Sequence, residues 1–448
     1  MTPRTGTPVP HRGPATLAGL LATALLLAGC GAGGREDDGE DGGGASDTGV
    51  TADTITIGAH FPLTGVAAPG YSEIPTGAQA YFDYVNANGG VHGRQIEYLV
   101  KDDGYNPTNT SKVTNELVLQ DEIFAMVGGL GTPTHSAVVD FLNGEGVPDL
   151  FVSSGSLMWG DDVAARPMTF GWQPDYEIEG KIIGQYVAEN QPGARVGLFL
   201  QDDDFGEDAE QGVRRYLDDQ IVEVQRYTSG STDVGPQIAA LQSAGVDLVL
   251  SFNTPSYTAL SQLVALKLGY DPAWFYSNVG SDPGLVGALL SQISEGAVQG
   301  GTNALDGVLT TEYIPGVDAP DDPWVQLWQK VWDEHGEKGE LTNYRVYGMS
   351  HAYAFVQALQ EAGEDLTREG LVEALESDSQ DLVGPQLAPF RFSADSHMGI
   401  SGMRVVELQG GVGEPLTPIL VSDIGDAEIT EDTSGQAEDA PPESGIPD

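Results

Sequence analysis

Thr54-Ile-Thr-Ile-Gly-Ala59 alternates apolar and polar positions, the period of a strand with one buried face. Ile74, Ala78, Tyr81, Phe82 and Val85 then recur at helical spacing, and Asn88-Gly89-Gly90 ends that helix because glycine accepts the left-handed cap. The pattern continues with a strand over 94–100, a helix over 107–119 with proline in its first turn, a strand over 123–127, a helix over 133–142 and a strand over 149–152. The rhythm starts again with helix 176–189, strand 195–200, helix 205–217, strand 222–227, helix 234–244, strand 247–251, helix 255–268 and strand 273–277. Strand–helix alternation with short loops predicts parallel sheets covered on both faces, and two runs of it predict two doubly wound α/β lobes.

The ends of the chain read differently. Arg4 and Arg12 precede a short apolar run, Leu17 to Leu27, which closes in Leu27-Ala28-Gly29-Cys30. Charge, apolar segment and small residues in that order make a signal peptide over 1–29, too short for a bilayer span of about 20 residues. A cysteine directly after the small residues resembles a bacterial lipobox, with Cys30 as the acceptor of a lipid anchor. Residues 30–53, rich in Gly, Asp, Glu and Ser, read as a disordered tether, and 426–448 as an acidic disordered tail.

Composition narrows the classes. The 67 Asp and Glu against 19 Lys and Arg, a formal charge of −48, repel phosphates and exclude nucleic acid as a partner. With one cysteine there is no intramolecular disulfide and no cysteine zinc cluster, and the seven histidines form no metal-binding pair motif, so no cofactor or metal is expected.

In doubly wound sheets ligands bind beyond the carboxyl ends of the strands. Those loops are 60–65, 102–107, 128–135 and 153–160 in the first half, and 201–207, 252–257 and 277–282 in the second. They are rich in glycine, hydroxyls, amides and aromatics, suited to an anionic or amide oxygen on an apolar body. Asp202-Asp203-Asp204 reads as helix capping rather than a cation site. His60 and His135 read as polar cleft lining. Trp159, Trp172, Phe205, Tyr71 and Tyr257 are equally readable as cleft walls or as packing, and Trp324, Trp328 and Trp332 as a packed helix stripe. Gly348-Met-Ser-His-Ala352 approaches a nucleophile elbow, but it lies within a continuous helical pattern where an elbow needs a strand first.

Ile57-Gly-Ala-His-Phe-Pro-Leu-Thr-Gly65, Val85-Asn-Ala-Asn-Gly-Gly-Val-His-Gly-Arg94, Asp102-Asp103 with Asn106-Pro107, Met126-Val-Gly-Gly-Leu-Gly-Thr132, Ser153-Ser154, Asp204-Phe-Gly206 and Leu382-Val-Gly-Pro385 occur in this order. The series resembles the branched-chain amino-acid-binding family of substrate-binding lipoproteins, over nearly all of 54 to about 412. The resemblance implies an α/β type I periplasmic-binding-protein fold with three crossovers, near 171–174, 299–303 and 384–388. It divides the chain into lobe 1 (54–172 plus 303–384) and lobe 2 (173–302 plus 385–425). It implies a monomeric binding protein, not an enzyme, lipid-anchored outside the membrane. Its partners would be a small-molecule ligand and an ABC-transporter permease. A sensor component of the same fold is the alternative, and a surface hydrolase the rival from another class.

The site residues expected on this reading are Tyr71, Gly131, Thr132, Gly155, Ser156, Phe205, Asn253 and Asn278. The family holds an amino-acid carboxylate with hydroxyls in two first-lobe loops. Thr132 matches the first; in the second, Leu157 stands where threonine is usual, with Ser156 one place earlier. The second-lobe stretch that normally carries a counter-charge for the ammonium is Ser277-Asn278-Val279, without a carboxylate, and Asp282 lies further on. A buried ammonium without a counter-charge is costly, so the expected ligand is a small carboxylate or amide with an apolar body.

Overall fold

The computed structural model describes residues 47–298, 301–378 and 382–447; the expected signal peptide and Cys30 lie outside them. The first lobe opens with β1 (Thr54–Phe61), the single turn α1 (Ala68–Tyr71), α2 (Ile74–Ala87), β2 (Gln95–Asp102) and α3 (Pro107–Leu119). There follow β3 (Met126–Val127), the short helices α4 (Thr132–His135) and α5 (Val139–Gly144), β4 (Asp149–Val152) and β5 (Thr169–Gly171). All five strands are parallel, in the order β2-β1-β3-β4-β5. The order switches direction at β1, where diverging loops leave a crevice at the carboxyl edge.

The second lobe continues with α6 (Tyr176–Asn190), β6 (Val196–Gln201), α7 (Asp204–Leu217), β7 (Ile221–Tyr227), α8 (Gly235–Ser243) and β8 (Leu248–Phe252). It goes on through α9 (Pro255–Leu268), β9 (Ala273–Tyr276), α10 (Pro283–Ile293) and β10 (Leu309–Glu312). The chain returns to lobe 1 for α11 (Pro323–His335), α12 (Asn343–Ala362) and α13 (Arg368–Asp378), then to lobe 2 for β11 (Gly402–Gln409), β12 (Val412–Pro415), β13 (Leu420–Val421) and β14 (Thr430–Glu431). Strands β7-β6-β8-β9-β10 are parallel, but β11 pairs antiparallel with β10, and β12 to β14 are antiparallel as well. The second lobe thus has the expected parallel doubly wound body, extended at one edge by antiparallel strands.

Two of the expected crossovers move. Residues 309–312 were expected in lobe 1, yet β10 pairs with β9 in the second sheet, so the middle passage follows Glu312 rather than 299–303. Residues 388–400 were expected in lobe 2, yet Phe390 and Phe392 pack on Phe151, and the His397 carbonyl accepts from Gly171 N, so the last passage lies just before β11. The passages run side by side. Ile400 N donates to Trp172 O at 2.9 Å, and Leu387 N to Tyr313 O at 2.8 Å. Gly399 is required there, because a Cβ would sit 2.3 Å from Trp172 O.

Both chain ends also differ from expectation. Residues 47–53 join lobe 1 instead of forming a tether: Val50 is buried and bridges Ile55, and Asp47 accepts from Arg368 N. The acidic tail is ordered against the body. After β14 it crosses to lobe 1, where Trp324 Nε1 donates to Asp439 O, Tyr84 Oη to Ser444 O and Tyr81 Oη to Gly445 O. Its low hydrophobicity hid anchors supplied by the partner helices.

Helices α2 and α12 touch backbone to backbone. A Cβ at Gly348 would lie 2.0 Å from Ile74 O, and one at Gly77 2.2 Å from Arg345 O. Gly348 serves this contact; Ser350 Oγ donates back to Val346 O within the helix and makes no bond with His351. Trp324 and Trp328 are buried against Tyr353, as the stripe predicted.

Candidate functional site

A cavity of about 220 Å³ lies between the lobes, at the carboxyl edges of both sheets. Its first-lobe floor comes from the loops after β3 and β4. Gly131 has φ +103, and a Cβ there would lie 2.5 Å from the Tyr105 ring, so glycine lets that ring close on the loop. Thr132 Oγ1 and Ser154 Oγ are 2.7 Å apart. Tyr176 packs over them from the start of α6: burial pushes its phenol up, and Gly155, Ser154 and Thr132 pull it back to about 12. Beside them the Ser153 hydroxyl and the Gln173 amide nitrogen are buried, the nitrogen without a hydrogen-bond partner, in residues only 8 % and 7 % exposed. The Tyr347 phenol interacts with the Ser153 hydroxyl, which opposes the rise that burial gives its pKa, and donates weakly to Gln173 Oε1 at 3.4 Å. An unpartnered buried donor costs about 1–3 kcal/mol, so this floor is built to meet an acceptor.

A buried chain of side chains supports the floor from beneath. Asp103 Oδ2 lies 2.9 Å from His60 Nδ1, His60 Nε2 lies 2.9 Å from His135 Nδ1, and His135 Nε2 lies 2.8 Å from Asp149 Oδ2. All four side chains are fully buried, and burial holds His60 below its ordinary pKa. The histidines thus brace the β1 and β3 loops instead of lining the cleft as expected. Gly129 must be glycine, since a Cβ would be 2.7 Å from His135 Nδ1.

The second lobe contributes Phe205, Thr254, Asn278 and Thr311. Asn278 is held by Glu179, whose fully buried carboxylate accepts from Thr311 Oγ1, Ser277 Oγ, and both Asn278 N and Nδ2 at 2.6–2.9 Å. Glu179 stands behind the cavity wall, its carboxylate occupied by these donors; burial raises its pKa and the same hydrogen bonds oppose the rise. Asp282 is similarly engaged, accepting from Leu285 N and Asn343 Nδ2. Among the described residues no Lys, Arg or His lines the cavity.

Of the expected site residues, the structure brings Tyr71, Gly131, Thr132, Phe205 and Asn278 to one cavity. Three stand back from it. Gly155 makes room for the Tyr176 ring, 2.9 Å from where its Cβ would be. Ser156 caps a turn by accepting from Met158 N. Asn253 is tied to Ser251 and Thr258. Trp159 and Trp172 are core, and Tyr257 stacks on Tyr227 at 3.8 Å. Asp203 caps α7 by accepting from Phe205 N, as the capping reading expected; burial pushes its pKa up to about 6. Among the described residues no His, Cys, Asp and Glu group could hold a metal ion. Sequence reasoning missed Ser153, Gln173, Tyr313, Tyr344 and Tyr347. Ser153 and Tyr105 lay in loops already singled out; Tyr344 and Tyr347, three apart on α12, had only helical spacing to mark them.

The lobes are closed on this cavity. Leu157 N donates across to Asp208 Oδ2 at 3.0 Å, Ser256 Oγ to Val66 O at 2.9 Å, and Asn343 Nδ2 to Asp282 Oδ2 at 2.7 Å. The family profile described as periplasmic binding protein matches residues 54–412, which covers the first sheet, the second sheet through β11 and all three passages. The chain belongs to the periplasmic binding protein family. A leucine-, isoleucine-, valine-, threonine- and alanine-binding protein of Pseudomonas aeruginosa is 25% identical over 205 residues, 45% of this chain and 54% of that one. A Leu/Ile/Val-binding protein homologue of Brucella melitensis is 26% identical over 200 residues, 44% of this chain and 53% of that one. The matched region thus spans about half the length of these curated relatives. Among solved structures, a fatty acid ABC transporter substrate-binding protein from Thermomonospora curvata superposes with a TM-score of 0.70 at 24% identity, over 85% of this chain and 95% of that one. A branched-chain amino acid ABC transporter protein from Thermus thermophilus, with bound valine, gives 0.70 at 21% identity, over 83% and 98%. These likenesses establish the type I periplasmic binding protein fold. Membership of this family implies an extracytoplasmic location.

Proposed function

We propose that this periplasmic binding protein is a lipid-anchored component of an ABC importer. It captures a small carboxylate or amide with an apolar body between its lobes and presents the closed form to a permease. The observation that carries the reading is the closed cleft whose floor holds the buried Ser153 hydroxyl and the unpartnered Gln173 amide nitrogen. These donors suit a carboxylate or amide oxygen, and the tyrosine walls suit an apolar body. The neighbour named for fatty acids is consistent with such ligands, and the relatives named for amino acids share with them a carboxylate. A free α-ammonium is disfavoured, because Glu179 behind the wall is saturated by four donors and the lining carboxylates are engaged as well, Asp282 by Leu285 N and Asn343, Glu312 by Arg404 and Asp318 by Gly413 N. No bond is made or broken in this function. Calorimetry with leucine, isoleucine, valine and a panel of aromatic acids tests it. Binding of the acids with little response to the amino acids is expected; submicromolar leucine binding would overturn the ligand class.

A further inference from the structure

The cavity does not end at the cleft. It continues past the middle passage onto the face of the second sheet that carries Thr310. Thr310 pairs with Val406 across the β10–β11 register, and cross-strand partners share a face, as does Leu408 two residues on. The register therefore sets Val406 and Leu408 together along this extension, and Ile314, Pro315 and Gly413 complete it.

The two chambers differ in polarity. In the cleft, the Gln173 amide nitrogen has no partner, and the buried Ser153 hydroxyl has only the Tyr347 phenol beside it. In the extension the polar groups are already engaged. Thr310 Oγ1 donates to Ser281 Oγ, Glu312 is paired with Arg404, and Asp318 accepts from Gly413 N. What remains to a ligand there is aliphatic surface. One cavity thus joins an unsatisfied donor at one end to satisfied, apolar walls at the other.

We infer that the ligand is an elongated acyl compound: a carboxylate or primary amide held at Ser153, Gln173 and Thr132, with an unbranched aliphatic chain lying along Val406 and Leu408. This deepens the capture reading and rests on it. A compact amino acid would leave the extension empty, whereas each methylene laid in it gains about fourfold in affinity.

The test is titration calorimetry of the exported chain with butanoate, hexanoate, octanoate and decanoate, and with the matching amides, beside leucine. Affinity is expected to rise with chain length to a plateau, and the better of the two series identifies the head group. Leu408→Trp should fill the extension and flatten the rise; Val406→Phe is a gentler second obstruction if the first variant misfolds, with melting curves as the check. A flat or falling series, or an undiminished chain-length increment in both folded variants, would overturn the inference. So would the absence of acyl binding, and leucine binding in the same cell would then leave capture itself standing.

Discussion

Asp208 reaches across the cleft to the Leu157 amide, and burial there pushes its carboxyl up to about 7, with Asp204 and Asp175 nearby adding to the rise. An open lobe would return it to water and to the ordinary carboxylate range. The closed form therefore binds the proton more tightly. That contribution to closure is complete below the ordinary range and is lost as pH rises through about 7. Ligand affinity should accordingly fall between about pH 5 and pH 8, and Asp208→Asn, which keeps an acceptor for Leu157 N, should flatten the profile in calorimetry. An equally steep profile in the variant would place the titration elsewhere. Thr132 makes a second residue-scale prediction. Thr132→Val removes a hydroxyl beside Ser154 and should cost a charge-assisted bond of about 1.5–3 kcal/mol, a ten- to hundredfold loss of affinity. Full affinity would remove Thr132 from the site. Residue identity was legible where local grammar decides it, as in the Asp203 cap. It was not legible in the 153–157 loop, where Ser156 turned inward to cap Met158 and left Ser153 at the cavity, with Ser154 bonded to Thr132.

Most elements could be read from periodicity because each helix buries one face and each central strand both. The failures have physical causes. Strand β5, three residues long, is too short to show a period. Strand β10 was assigned to the wrong lobe because strand pairing is a non-local property that no window contains. The tail is held by side chains of α2 and α11, so its own composition says nothing of its order. Deleting residues 433–448 should expose Tyr81 and Trp324 and lower the melting temperature; an unchanged midpoint would show these contacts to be without weight. The α2–α12 contact makes a sharper test. Gly348→Ala forces a Cβ against the Ile74 carbonyl and should cost about 1–3 kcal/mol, read as a lower denaturation midpoint. A neutral result would mean the helices separate freely.

At the scale of the molecule, the ordered motifs carried the fold, while the closure geometry and the cavity's shape came only from how the two sheets face each other. Attachment to the membrane is read from Leu27-Ala28-Gly29-Cys30, outside the described residues. Cys30→Ser should abolish lipid attachment, which mass spectrometry of the mature amino terminus would register; a wild-type terminus without lipid mass would refute the anchor. The central claim is capture by closure, with contacts such as Leu157–Asp208 and Ser256–Val66 forming only when the lobes meet. Small-angle X-ray scattering of the exported chain tests it most directly, with and without the panel compound that calorimetry shows to bind most tightly, at saturation. A smaller radius of gyration in the bound state is the predicted result; superimposable curves for free and saturated protein would contradict it.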